Sequence, residues 1–190
     1  DNGEINYTQG SGILETARST APDDGADDLI TSGSGNDVVI AGQGNDTATI
    51  TGGNNVVVGD NGEAIFNGAD NDALTLDEVR TTFPANGGGD DLILTGDGDD
   101  VILAGLNDAD AATTETINAG NGDNVVLGDN GEVFFHSGEL DLVTSTETGE
   151  GGNEVITTGN GNDVILGGFG QDDIAAGDGN NVILGDNGEI

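Results

Sequence analysis

A nine-residue period constrains this chain more than any other feature. Ser32-Gly33-Ser34-Gly35-Asn36-Asp37-Val38-Val39-Ile40 runs directly into Ala41-Gly42-Gln43-Gly44-Asn45-Asp46-Thr47-Ala48-Thr49. Six residues rich in Gly, Asn and Asp sustain neither a helix nor a strand and read as a turn, and the three apolar residues that follow read as a short strand. The sixth position marks the frame. It is Asp28, Asp37, Asp46 and Asn55 in one stretch, Asp91, Asp100, Glu115 and Asn124 in a second, and Glu154, Asp163, Asp172 and Asn181 in a third. An insertion between Asn107 and Thr114 lengthens the second stretch.

A longer period overlies the short one. Asp-Asn-Gly-Glu recurs at Asp1, Asp60, Asp129 and Asp186, dividing the chain into modules 1–59, 60–128 and 129–185, with 186–190 opening a fourth. The modules read as one continuous solenoid, and the same five residues at both ends read as a segment of a longer tandem array. Composition then limits function. Two basic residues, Arg18 and Arg80, face 37 carboxylates for a formal net charge of -35, so binding to nucleic acid or to an anionic membrane is not expected. No segment has the length and apolarity of a membrane span, and Cys is absent. With a single His and no convincing pair of nucleophile and base, an enzyme is not expected. The charge does call for a cation that the chain does not supply, and without one the thin apolar series favours a disordered chain.

In-phase repeats of this kind resemble the repeats-in-toxin (RTX) family, whose nonapeptide is Gly-Gly-x-Gly-x-Asp-x-U-x with U a large apolar residue. The matching glycines are Gly33, Gly35, Gly42, Gly44, Gly96, Gly98, Gly159, Gly161, Gly168, Gly170, Gly177 and Gly179. Departures occur where Ala26 and Thr113 replace a Gly and where Asn fills the sixth position of each fourth repeat. The resemblance implies an all-β fold, a parallel β-roll that is a two-sheet β-solenoid, with several Ca²⁺ ions in the turns. Ca²⁺ takes six to eight hard oxygen ligands, and turns presenting carbonyls beside a carboxylate supply them. In the family, ions sit between turns stacked on one edge. The ligand pairs implied are Asp28 with Asp46, Asp37 with Asn55, Asp91 with Glu115, Asp100 with Asn124, Glu154 with Asp172, and Asp163 with Asn181. Type I secretion and an extracellular or cell-surface location are also implied.

In a three-residue strand the middle side chain faces opposite to its neighbours. The inward series is therefore Ile30, Val39, Ala48, Val57 and Phe66, with Ile156, Ile165, Ile174 and Ile183 in the third module. The same frame makes Asp-Asn-Gly-Glu a fifth turn and the following stretch a sixth half-turn, giving nine turns of roughly 4.8 Å, a rod about 43 Å long. A short helix through Leu76, Val79 and Arg80 competes for that stretch. Every outward position of the second and fourth repeats is apolar, including Val56, Val58, Val101, Leu103, Val125 and Leu127. Such a face points to side-by-side self-association, unless the stretches between modules fold back over it. The expected function is a calcium-rigidified structural segment of a secreted adhesin, surface-layer or filament protein. The alternative is an accessory domain that assists export and folding of a secreted enzyme or toxin.

Overall fold

A computed structural model describes residues 2–66, 74–83, 88–107 and 114–190. Asp1, Ala73, Thr113 and most of the insertion lie outside the described residues. The apolar triplets form two parallel sheets, as the nine-residue frame requires. The first sheet comprises β3 (Leu29–Ser32), β5 (Thr47–Ile50), β9 (Leu92–Leu94), β11 (Glu115–Asn118), β15 (Glu154–Thr157) and β17 (Asp173–Ala175). The second comprises β4 (Val38–Ile40), β6 (Val56–Val58), β10 (Val101–Leu103), β12 (Val125–Leu127), β16 (Val164–Gly168) and β18 (Val182–Asp186). Middle residues stay in register from strand to strand: Val39, Val57, Ile102, Val126, Ile165 and Ile183 form one rank, and Ile30, Ala48, Ile93, Ile117, Ile156 and Ile174 the facing one. These ranks meet as a narrow core in which Val57, Ile102, Ile117, Val126, Ile156 and Ile165 are fully buried.

The turns can stack closely because they lack side chains at the contact. Gly96 has φ 78°, and a Cβ there would stand 2.6 Å from the Thr51 carbonyl oxygen of the turn beneath. Only Gly takes that dihedral and that approach without strain.

A third, antiparallel sheet changes the architecture expected from the spacing. It comprises β1 (Gly3–Tyr7), β2 (Leu14–Ser19), β7 (Gly62–Ile65), β8 (Glu78–Thr81), β13 (Gly131–His136) and β14 (Glu139–Ser145). Each module contributes one antiparallel pair, β1 with β2, β7 with β8 and β13 with β14. The last pair closes through Ser137 and Gly138 at φ 54° and 77°, the left-handed pair that a two-residue hairpin favours. Neither the fifth turn nor the sixth half-turn is therefore formed, and a strand, not a helix, contains Val79 and Arg80. Six strands per parallel sheet at roughly 4.8 Å make the roll about 29 Å long instead of about 43 Å.

This third sheet lies over the apolar outer face of the second. Ala64, Val79, Val133 and Val143 form its inward rank and pack on Val56, Val58, Val101, Leu103, Val125, Leu127 and Leu166, all buried. Phe66 and Phe135 join this outer layer, not the inner core. The apolar face expected to bind another copy is thus covered from within the chain, since an unburied patch of that size costs more than folding a hairpin back upon it. Only at the last strand does it open, where Val182 is 45% exposed.

Candidate metal centre

Both edges of the roll are columns of stacked turns, and the sixth-position residues lie directly above one another. On the edge entering the second sheet, the column runs Asp37, Asn55, Asp100, Asn124, Asp163, Asn181. Each backbone N–H in it donates to the side-chain oxygen of the next residue: Asp37 to Asn55 Oδ1 (3.0 Å), Asn55 to Asp100 Oδ1 (2.8 Å), Asp100 to Asn124 Oδ1 (3.1 Å), Asn124 to Asp163 Oδ1 (3.1 Å) and Asp163 to Asn181 Oδ1 (2.9 Å). Acid and amide alternate, and the amides meet the acids. Asn55 Nδ2 donates to Asp100 Oδ1 (2.9 Å) and to the Gly53 carbonyl (2.6 Å); Asn124 Nδ2 donates to Asp163 Oδ1 (3.0 Å) and to the Gly122 carbonyl (3.0 Å). The Thr158 hydroxyl takes Asp163 Oδ2 at 2.7 Å. Gly33, Gly35, Gly96, Gly98, Gly159, Gly161, Gly177 and Gly179 all lie in turns of this edge. Asp37 Oδ2 and Asp100 Oδ2 remain buried without a partner.

The opposite edge, with Gly42, Gly44, Gly168 and Gly170 in its turns, is different in kind. Its column is Asp28, Asp46, Asp91, Glu115, Glu154, Asp172, with no amide in it. The ladder starts well, with the Asp28 N–H donating to Asp46 Oδ1 (2.6 Å) and the Asp46 N–H to Asp91 Oδ1 (2.7 Å), and it resumes from Glu154 to Asp172 Oδ1 (3.3 Å). Between them it breaks. Glu115 and Glu154 are register partners on β11 and β15, both are fully buried, and none of their four carboxylate oxygens has a hydrogen-bond partner. Asp46 Oδ2 and Asp91 Oδ2 are likewise buried and unpartnered.

All the implied pairs are stacked neighbours, five of them hydrogen-bonded, with Asp91 and Glu115 joined only through the Thr116 N–H to the Asp91 carbonyl (2.9 Å). The ladders also cross module boundaries, from Asp46 to Asp91 on one edge and from Asn124 to Asp163 on the other, a continuity hidden in sequence by the intervening hairpins.

Electrostatics separates the two edges. Burial pushes Asp91 up to about 8 and Glu154 up to about 10, and it raises Glu115 well above the ordinary range, with neighbouring carboxylates adding to the effect in each case. On the amide-bearing edge Asp100 rises to about 6, burial being countered by the hydrogen bonds from the Asn55 backbone and side chain. No side-chain cation relieves the acidic edge. Arg18 bonds Glu4 at 2.5 Å and Arg80 bonds Glu63 at 2.5 Å, both on the third sheet.

Those ion pairs explain much of the Asp-Asn-Gly-Glu motif, which the nine-residue frame reads as a fifth turn. Its Glu stands in an outward rank, Glu4, Arg18, Glu63, Arg80, Glu132, Thr144, Glu189, in which acid and base alternate over the first five strands. Its Gly admits the layer below, since a Cβ on Gly62 would stand 2.6 Å from Val58 Cγ1. Its Asp turns back to the acidic edge. Asp60 Oδ2 accepts the Leu106 N–H at 2.5 Å; Asp129 accepts from the Gly152 N–H (3.2 Å) and the Phe169 N–H.

Buried oxygens without donors, several on one edge and unopposed by any cation, are the donor set that a hard divalent ion satisfies. Among the described residues no three acidic side chains by themselves already enclose an ion, so main-chain carbonyls have to share the coordination. A model of the RTX calcium-binding nonapeptide repeat matches residues 23–48, 87–108, 112–132 and 148–188, together more than half of the chain. No curated protein and no solved structure matches it.

Proposed function

Because this chain belongs to the RTX calcium-binding nonapeptide repeat family, we propose that it is a structural β-roll segment of a large secreted adhesin, surface-layer or filament protein, folded by the calcium that its turns bind. The observation that carries this reading is the pair Glu115 and Glu154, fully buried, adjacent in register and with no hydrogen bond made to any of their four carboxylate oxygens. Two such charges cannot remain side by side in the interior unless a proton or a cation joins them. RTX repeat proteins are typically secreted, and the medium outside a cell supplies calcium that the cytoplasm lacks. Binding to the native state alone then couples folding to arrival outside.

The role proposed is mechanical, not catalytic: the acids are held in turns stacked through backbone N–H groups, and the groove beside Asp37 and Asp100 is lined by Phe66, Leu76 and Phe135 with no His among its residues. Continuity along the array is supplied by the parallel strands, which pair across module boundaries through β6 with β10 and β12 with β16. Lateral association through the second sheet is not part of the proposal, as the third sheet occupies that surface.

Far-ultraviolet circular dichroism at pH 7.5 tests the reading. The calcium-free chain is expected to be largely unfolded and to gain β structure with millimolar Ca²⁺ but not with Mg²⁺, whose small octahedral sphere these turns do not offer. Equal β content with and without calcium refutes it.

A further inference from the structure

Asp60 and Asp129 belong to no nonapeptide, yet both enter the acidic edge where its ladder is broken. Asp60 is 4% exposed; its Oδ2 is held by the Leu106 N–H, and its Oδ1 is buried and unpartnered. Beside it, a Cβ on Gly59 would overlap Asp91 Oδ2 and stand 2.5 Å from the Ala104 carbonyl oxygen, so a carboxylate oxygen and a carbonyl oxygen converge on a spot kept free of side chain. Glu115, stacked on Asp91, brings two more unpartnered oxygens. The next module repeats the arrangement. A Cβ on Gly128 would meet the Gly167 carbonyl and stand 2.9 Å from Glu154 Oε2, and Asp129 lies next in the chain.

We propose that the Asp of each Asp-Asn-Gly-Glu motif completes a calcium site lying outside the nonapeptide consensus. One site is formed by Asp60, Asp91, Glu115 and the Ala104 carbonyl. A second is formed by Asp129, Glu154 and the Gly167 carbonyl. This rests on the calcium reading above and extends it to residues that the repeat pattern does not mark.

The chemistry follows from what each group lacks. Five acidic side chains and two carbonyls offer only acceptors, and the charges of Asp91, Asp60, Glu154 and Asp129 all bear on Glu115. The two arginines are bound on the far side of the third sheet. A hard dication takes six to eight such oxygens, and water fills the remaining positions. On the other edge Asn55 and Asn124 stand between the stacked acids, and their Nδ2 atoms already donate to a carbonyl and a carboxylate each. The motif Asp also stands two residues before β7 or β13, where the chain leaves the roll for the third sheet. An ion at that point ties the covering sheet to the roll.

The test counts ions on the whole chain. Equilibrium dialysis against Ca²⁺ with elemental analysis is made on wild type, Asp60→Asn, Asp129→Asn and the double variant. Asn keeps the acceptor for the Leu106 N–H but removes the charge. Each single variant is expected to bind one ion fewer, and the double variant two fewer, while Arg18→Ala, on the third sheet away from the turns, leaves the number unchanged. Unchanged ion number and affinity in both single variants overturn the proposal while leaving calcium binding intact. A wild type that binds no calcium overturns the calcium reading itself. Should a variant fail to fold, the calcium-loaded wild-type crystal structure decides: anomalous density about 2.3–2.6 Å from Asp60 Oδ1 supports the site, and calcium density confined to other turns refutes it.

Discussion

Protons should substitute for calcium in holding this roll together. In protein stripped of divalent ions, the buried acids must be neutral for the interior to tolerate them. Burial raises Asp46 and Asp100 to about 6, Asp129 to about 7, Asp91 to about 8 and Glu154 to about 10. In the unfolded chain these groups return to the ordinary carboxylate range near 4. Since the folded values lie above the unfolded ones, the native state holds more protons, and its stability is full below about pH 4 and falls as pH rises through about 6 to 10. For Asp91 alone, at pH 7 the unfolded chain has released a proton that the folded chain keeps. With a folded value of about 8 against 3.8, this costs about 4 kcal/mol relative to acid. That is comparable with the entire stability of a small domain, about 5–15 kcal/mol. Calcium reverses the slope, because protons then compete with the ion for the same oxygens. The assay is thermal melting by circular dichroism between pH 5 and pH 8, in roughly 0.5 M NaCl to screen repulsion between exposed acids. Without calcium the melting temperature should rise on acidification; with millimolar calcium it should fall. A calcium-free melting temperature that is flat with pH, or that rises with it, refutes the reasoning.

Val79→Asp places a charge in the fully buried layer between the second and third sheets; it should detach the third sheet, and dye binding with concentration-dependent light scattering would report the uncovered apolar face, whereas a dye-free monomer would contradict the layering. Asn124→Ala leaves the Asp100 N–H and one donor contact of Asp163 unmet, and calcium-loaded protein should lose about 1–3 kcal/mol in urea titrations. Arg80→Ala removes two ion pairs on a partly exposed surface, so the loss by the same measurement should stay under about 1 kcal/mol.

The parallel part of the fold was legible because one rule governs it. Six turn residues followed by three apolar ones leave a single middle side chain to bury, and Val39, Val57, Ile156 and Ile165 are found in that place. The third sheet was not, and the reason is physical. Its strands bury one rank on one face only, so Leu14–Ser19 and Glu78–Thr81 contribute just Ala17 and Val79 to that rank. A period-two pattern with one apolar residue per strand is indistinguishable locally from loop. The frame also misleads, since Ala64 and Phe66 fall nine residues past Asn55 and Val57 by coincidence of length. Two signals pointed the right way. The second and fourth repeats are apolar on both faces, as a sandwiched sheet must be. Both arginines lie in the inter-module stretches, one residue type facing the recurrent Glu of the motif. For the candidate site, the sixth-position residues were visible, but the difference between the edges was not. It depends on which turns share an edge, and on whether the neighbour in the column is Asn, which donates, or Glu, which cannot.

The motif that ends each module therefore addresses three layers at once. Asp60 faces the acidic edge, Gly62 rests on Val58 of the second sheet, and Glu63 pairs with Arg80 across the third. Its successor Glu189-Ile190 already pairs with β14, with the Ile190 N–H donating to Val143 (2.9 Å) and the Val143 N–H returning to Ile190 (3.0 Å). A module is thus completed by the first residues of the one that follows. In a linear array with only nearest-neighbour contacts, stability is the sum of unit and interface contributions. Here every interface contains three sheet junctions and a shared column of acids, so most of the favourable energy lies between modules. A single module cut at its Asp-Asn-Gly-Glu boundaries would lack both the next module's strand that pairs with the outer edge of its hairpin and the acids that stack above its own. Such a chain keeps its charge and loses its core, which places cooperativity in the junctions and makes the array, not the module, the folding unit.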